Sequence, residues 1–139
     1  NSLPRIDIWN KSLIYISKNL FFGYGAGSFS NIYETLNVSL DGTQHSHNIF
    51  LELAFNHGII VSIFILFPMV GILISAWRKL IDNREKYFSL IEKAWIISFA
   101  SFLLIHMFDI TYFDGRISFL CWILLAGLHS MIKEDIENS

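Results

Sequence analysis

The sequence predicts an all-α, polytopic helical membrane protein, and three observations lead there. Its 139 residues are 53% hydrophobic and only 16% charged, where soluble domains carry about 25% charged residues. Mean hydropathy is positive, at +0.48. The stretch GIIVSIFILFPMVGILISAW, residues 58–77, contains no charged side chain, and about 20 such residues cross a hydrocarbon core as one helix.

Two further apolar segments complete the membrane part, giving three transmembrane helices at about 58–77, 92–108 and 117–132. The second is short unless Glu92 and Lys93 extend toward the headgroups. Arg78, Lys79, Arg84, Lys86 and Lys93 fall in or beside the connection at 78–91, half of all the Lys and Arg residues. Basic loops favour the cytoplasm, so this loop and the tail after Lys133 are expected inside. Residues 1–57 and the DITYFDGR turn are then expected outside. The chain starts at Asn1 and ends in the polar KEDIENS, which reads as the C-terminal fragment of a larger polytopic protein.

Within residues 1–57, Ile6, Trp9, Leu13, Ile16 and Leu20 recur at spacings of three and four, the period of an amphipathic helix. Pro4 suits its first turn and Ser2 its cap. Such a helix lies on the membrane or on another part of the protein. The glycines of GYGAGSF, at 23, 25 and 27, lack the preceding strand and the Lys-Ser/Thr pair of a phosphate loop. They are expected to form a backbone turn that ends the helix. A polar loop, NVSLDGTQ, follows.

Several chemistries are disfavoured. A net charge of −2 with no basic block gives no nucleic-acid partner. Cys121 is the one cysteine, so neither an internal disulfide nor a cysteine zinc site is expected. In QHSHNIFLELAFNHG, His45 and His47 are two residues apart, not at the i, i+4 spacing of helical zinc ligands, and no metal is expected. His47 opens the run that leads into the first span. An imidazole there is either an amphipathic ring at home in an interface or a base that takes a proton from a hydroxyl near neutral pH. Arg5, on the same side, is either a surface arginine or a bidentate grip for phosphate. Asp109, Asp114 and Arg116 share the outer turn, where an exposed Asp114–Arg116 pair would add little stability.

The residues then resemble a family. HNIFLELAFNHG, with His47, Asn48, nine residues and Gly58, is similar to the signature of the O-antigen ligase and polymerase superfamily. RIDIW resembles that family's arginine-containing stretch, FGYGAGSF its glycine-rich element, and Asp109 a further acidic position. Val61 and Asn56 depart from the ligase pattern and lean the resemblance toward a polymerase. The resemblance implies a GT-C-like glycosyltransferase of the bacterial inner membrane, active outside the cytoplasm, with no metal or nucleotide cofactor. Its partners would be an undecaprenyl-pyrophosphate-linked glycan, a glycan or lipid acceptor, and membrane lipids. Arg5 and His47 would be catalytic, Arg5 neutralising the leaving pyrophosphate and His47 acting as general base. Asn48, His45 and Asp109 would bind substrate or orient His47. The alternatives are a membrane transporter of a small anion or a non-catalytic membrane protein. A transporter should carry charged or broken-helix elements at mid-membrane, and Pro68 and Gly71 have no charge beside them.

Overall fold

A computed structural model describes residues 4–34, 45–82, 90–111 and 114–137. Among the described residues the regular structure is entirely helical: α1 (Pro4–Lys18), α2 (Ser28–Glu34), α3 (Ile49–His57), α4 (Ile59–Asp82), α5 (Leu90–His106) and α6 (Gly115–Glu137). The chain divides into two compact units. One comprises Asn1–Leu66 and His106–Ile110, the other Phe67–Ile105 and Thr111–Ser139. Ser2, the 37–44 loop, Arg84 and Lys86, all invoked above, lie outside the described residues.

In the first unit, α1 starts at Pro4, whose fixed φ and missing N–H fit a first helical turn. Asp7 and Lys11, one turn apart, form an ion pair at 2.9 Å, a contact of a few tenths of a kcal/mol at a surface. Ile8, Ser12 and Ile16 form the buried row. Ser12 is tolerated there because its hydroxyl donates to the Ile8 carbonyl at 2.8 Å. Ile8 and Ile16 pack with Phe29 of α2 and with Leu51, Ala54 and Phe55 of α3. Phe55 is central, its ring 5.0 Å from those of both Tyr24 and Phe29.

The expected stripe meets the rest of this unit only in part. The helix exists with the expected period, but Ile6, Leu13 and Leu20 are exposed. Of the five residues named, Ile16 is buried and Trp9 half-buried. Both sides of α1 carry apolar residues, and periodicity finds a helix without saying which side meets protein.

One correction concerns the way into the first span. His47 does not begin one long helix, because α3 stops at Gly58 and α4 starts at Ile59. Gly58 has φ 85 and ψ 165, a region that only glycine occupies readily. A Cβ at this position would run into the Phe21 carbonyl. Gly23 is matched to it. At φ 64, its own Cβ would lie 2.6 Å from Asn56 C and Gly58 N. The two glycines let two backbones touch, and Ile59 N–H donates to Leu20 O at 2.8 Å beside them.

In the second unit, α4 passes through Pro68 and Gly71 without interruption and ends at Asp82. Arg78 and Lys79 are therefore helical rather than part of a loop starting at 78. The Lys79 ammonium donates to the Met131 carbonyl of α6. Trp95 of α5 donates its indole N–H to Leu124 O at 2.8 Å, its ring lying where a side chain at Gly127 would stand. Ile59–Ile81 and Gly115–Lys133 are long and apolar enough to cross a membrane. The 17 residues of α5 reach about 25 Å at 1.5 Å per residue, short of a hydrocarbon core of about 30 Å.

Candidate functional site

The site is built where α3 begins. Asn48 is its N-cap, with extended backbone (φ −155, ψ 121) and a side-chain oxygen that accepts from Leu51 N–H at 3.1 Å. This satisfies one of the donors a helix start leaves open. The other end of the same amide donates to Met107 O at 3.2 Å. One side chain thus caps α3 and ties down the segment that carries Asp109. Asn48 is 8% exposed, and both ends of its amide are spent on protein. Of the two roles expected for it, that geometry suits orientation.

Immediately before the cap, His47 has φ 53. Left-handed backbone is uncommon outside glycine, though histidine is among the residues that enter it. The turn aims the ring at Asp109, with Nδ1 at 3.3 Å from Oδ1. The same carboxylate oxygen accepts from Ile110 N–H at 2.9 Å. The hydrogen bond from His47, first, and that from Ile110 hold the Asp109 carboxyl below the usual carboxylate range, and the nearby charges of His47 and Arg5 lower it further. Arg5 is exposed at the start of α1. Of the influences that lower the Asp109 carboxyl, that of Arg5 is the smallest.

A carboxylate at Nδ1 does a specific thing to an imidazole. It favours the tautomer with the proton on Nδ1, which leaves the Nε2 lone pair on the far side of the ring. The His47 side chain is 34% exposed, so a base at Nε2 has a route to an incoming hydroxyl. The arrangement has the logic of a carboxylate–histidine pair that accepts a proton and stabilises the imidazolium that results.

His45 turns the other way. Its Nδ1 lies 3.7 Å from Oε1 of Glu52, so the two histidines face different carboxylates. Among the described residues no group of three or more His, Cys, Asp or Glu is arranged to hold a metal ion. Asp114 caps α6, accepting from Arg116 N–H at 2.9 Å. The Arg116 guanidinium, 94% exposed, stands 3.4 Å from it. That pair belongs to the helix start.

Two residues at this site were not singled out from sequence. Glu52 is fully buried within α3, and Trp9 donates its indole N–H to Ser46 O at 2.9 Å. The signal for Glu52 was present: one acidic residue inside IFLELAF, where an ionisable group in an apolar run is a functional hypothesis by default.

Residues 1–66 match the family model described as O-antigen ligase. No curated protein and no solved structure matches the chain. The matched segment ends where the first stretch of the first unit ends, and it contains Arg5, the glycine loop and the His47–Asn48 start of α3.

Proposed function

We propose that this chain, whose residues 1–66 match the O-antigen ligase family model, belongs to that family and transfers a polyprenyl-pyrophosphate-linked glycan to an acceptor hydroxyl during surface polysaccharide assembly. The observation that carries the reading is the His47–Asp109 pair, 3.3 Å apart.

In this reading the acceptor oxygen attacks the anomeric carbon of the donor sugar. The bond from that carbon to the pyrophosphate oxygen breaks, and the lipid pyrophosphate leaves with the electron pair. His47 removes the acceptor proton at Nε2, a step for which a positioned base contributes roughly 10²–10⁴-fold. Asp109 holds the Nδ1 proton and stabilises the imidazolium. Arg5 meets the negative charge that grows on the leaving group, the place where a fixed cation accelerates most. The reaction faces the outside of a bacterial inner membrane, undecaprenyl pyrophosphate is the lipid carrier, and the departures at Asn56 and Val61 favour a polymerase over a ligase.

The test is His47→Ala in the whole protein in its own host, with membrane level checked and surface polysaccharide resolved on a gel. Loss of polymer or attached glycan with accumulation of lipid-linked precursor supports the reading. A ladder confined to single repeats identifies a polymerase, and free long chains identify a ligase. An unchanged pattern at normal protein level removes His47 from the chemistry.

A further inference from the structure

We infer that Glu52 is a positioning residue for His47, holding Ser46, the residue that precedes it, by its backbone N–H. The inference rests on the reading of His47 as the base. Glu52 is 0% exposed on a helix otherwise built from apolar residues, Asn56 and His57. Burying a carboxylate is costly unless donors surround it. The donors here are specific. Oε2 accepts from Ser46 N–H at 2.8 Å. Oε1 accepts from the Asn56 amide at 3.0 Å and faces His45 Nδ1 at 3.7 Å.

The consequence falls on one residue. Ser46 is itself fully buried and is gripped at every polar atom. Its N–H goes to Glu52, its hydroxyl donates to Asn48 O at 3.0 Å, and its carbonyl accepts from Trp9 Nε1 at 2.9 Å. That carbonyl belongs to the peptide linking Ser46 to His47, so its direction helps set the φ of His47. Left-handed backbone at a non-glycine residue persists where the surroundings over-determine it. Glu52 and Trp9 supply that determination from α3 and α1.

The experiment compares Glu52→Ala, Glu52→Gln and Trp9→Phe with His47→Ala, in the whole protein purified in detergent and supplied with a lipid-pyrophosphate-linked glycan. Glu52→Ala is expected to lower kcat about a hundredfold, the scale of a misplacement of about 1 Å, with KM for the donor within about twofold. Glu52→Gln is expected to stay within about tenfold of wild type. Its oxygen still accepts from Ser46, and its amide N–H reaches Asn56 once that amide turns over. If Glu52→Gln falls as far as Glu52→Ala, charge rather than the hydrogen-bonded grip is what matters, and the inference is overturned. Wild-type turnover in Glu52→Ala overturns it too. Should Glu52→Ala fail to reach the membrane, Trp9→Phe decides. A tenfold or greater loss of kcat at unchanged KM supports the grip on Ser46, and wild-type kcat overturns it. His47→Ala separates the two levels. If it is inactive while Glu52→Ala and Trp9→Phe are normal, only positioning falls. If His47→Ala is itself fully active, the transferase reading falls with it.

Discussion

His47 and Asp109 are separated by 62 positions in sequence, and the imidazole Nδ1 lies 3.3 Å from the carboxylate Oδ1. The pair is closed by backbone, since His47 is turned by a left-handed φ of 53 and the Asp109 segment is held by Asn48 through Met107 O. Neither half carries the geometry alone.

Asp109→Asn tests the half that orients. The amide is nearly isosteric but presents no charge to an imidazolium, and it can reverse the tautomer of His47. The expected loss is roughly tenfold to a hundredfold in kcat, below the roughly 10²–10⁴-fold contribution of a positioned base itself. Turnover at saturating donor measures it. An Asp109→Asn protein as fast as wild type would remove the carboxylate from the mechanism.

Acidity offers a second handle on the same pair. The Asp109 carboxyl is held low by the hydrogen bond from His47, then by Ile110 N–H and the charges of His47 and Arg5. A carboxyl whose folded pKa lies below its unfolded value of about 4 gives stability that is complete above that value. This stability is lost as pH falls through the folded pKa. Thermal unfolding of wild type and Asp109→Asn in detergent should therefore show a gap above about pH 4 that closes on further acidification. A gap that widens with acid would contradict the pairing. The gap should be small, because the Asp109 side chain is 61% exposed and water screens it.

Asn48 has two separable jobs. Asn48→Ala removes the cap of α3, at a cost of about 0.5–2 kcal/mol, and also frees Met107 O. Asn48→Asp keeps an acceptor for Leu51 N–H but sets a carboxylate against the Met107 carbonyl. The Asp variant should unfold at a higher temperature than the Ala variant, yet still lose turnover, because the Asp109 segment loses its tether. Equal stability of the two variants would show that the cap contributes nothing.

Gly58→Ala tests the crossing of the two backbones. At φ 85 and ψ 165 an alanine carries strain of order 1–3 kcal/mol, before its Cβ meets the Phe21 carbonyl. The variant should melt markedly lower than wild type or fail to accumulate in the membrane. Gly71→Ala, where an added Cβ meets nothing within 4 Å, serves as the control and should leave stability nearly unchanged.

The helical character of the chain and its long apolar segment were legible in hydropathy and spacing, because burial in lipid and helical period both leave marks on sequence. What was hidden has physical reasons. The buried face of α1 runs through Ile8, Ser12 and Ile16, and Ser12 hides there because its hydroxyl is satisfied by the carbonyl one turn back. The break between α3 and α4 sits on one glycine, just after Asn56 and His57. His47 was visible as a residue type at a boundary, but its φ was not, since no local pattern demands a left-handed histidine. Asp109 stood in sequence as one charge of an outer turn and was joined to a site by resemblance alone, because a separation of 62 positions carries no spacing rule that would link it to His47. Glu52 reads in sequence as one charge on a helix rather than as the acceptor for Ser46 N–H and the Asn56 amide.

The glycine turn has a consequence for how the histidine element comes into being. Tyr24 N–H donates to Phe55 O at 2.9 Å and Gly25 N–H to Asn56 O at 2.8 Å, so the far end of α3 is finished by a segment about thirty residues upstream. A helix of nine residues is marginal in water by itself, since isolated helices need roughly 12–15 residues to persist. The segment that bears His47 and Asn48 therefore has no independent existence as an ordered piece. It becomes a helix when the turn after α1 docks on it, and loop closure must precede that reward. Grafting QHSHNIFLELAFNHG onto another scaffold would carry the letters of the motif without its shape.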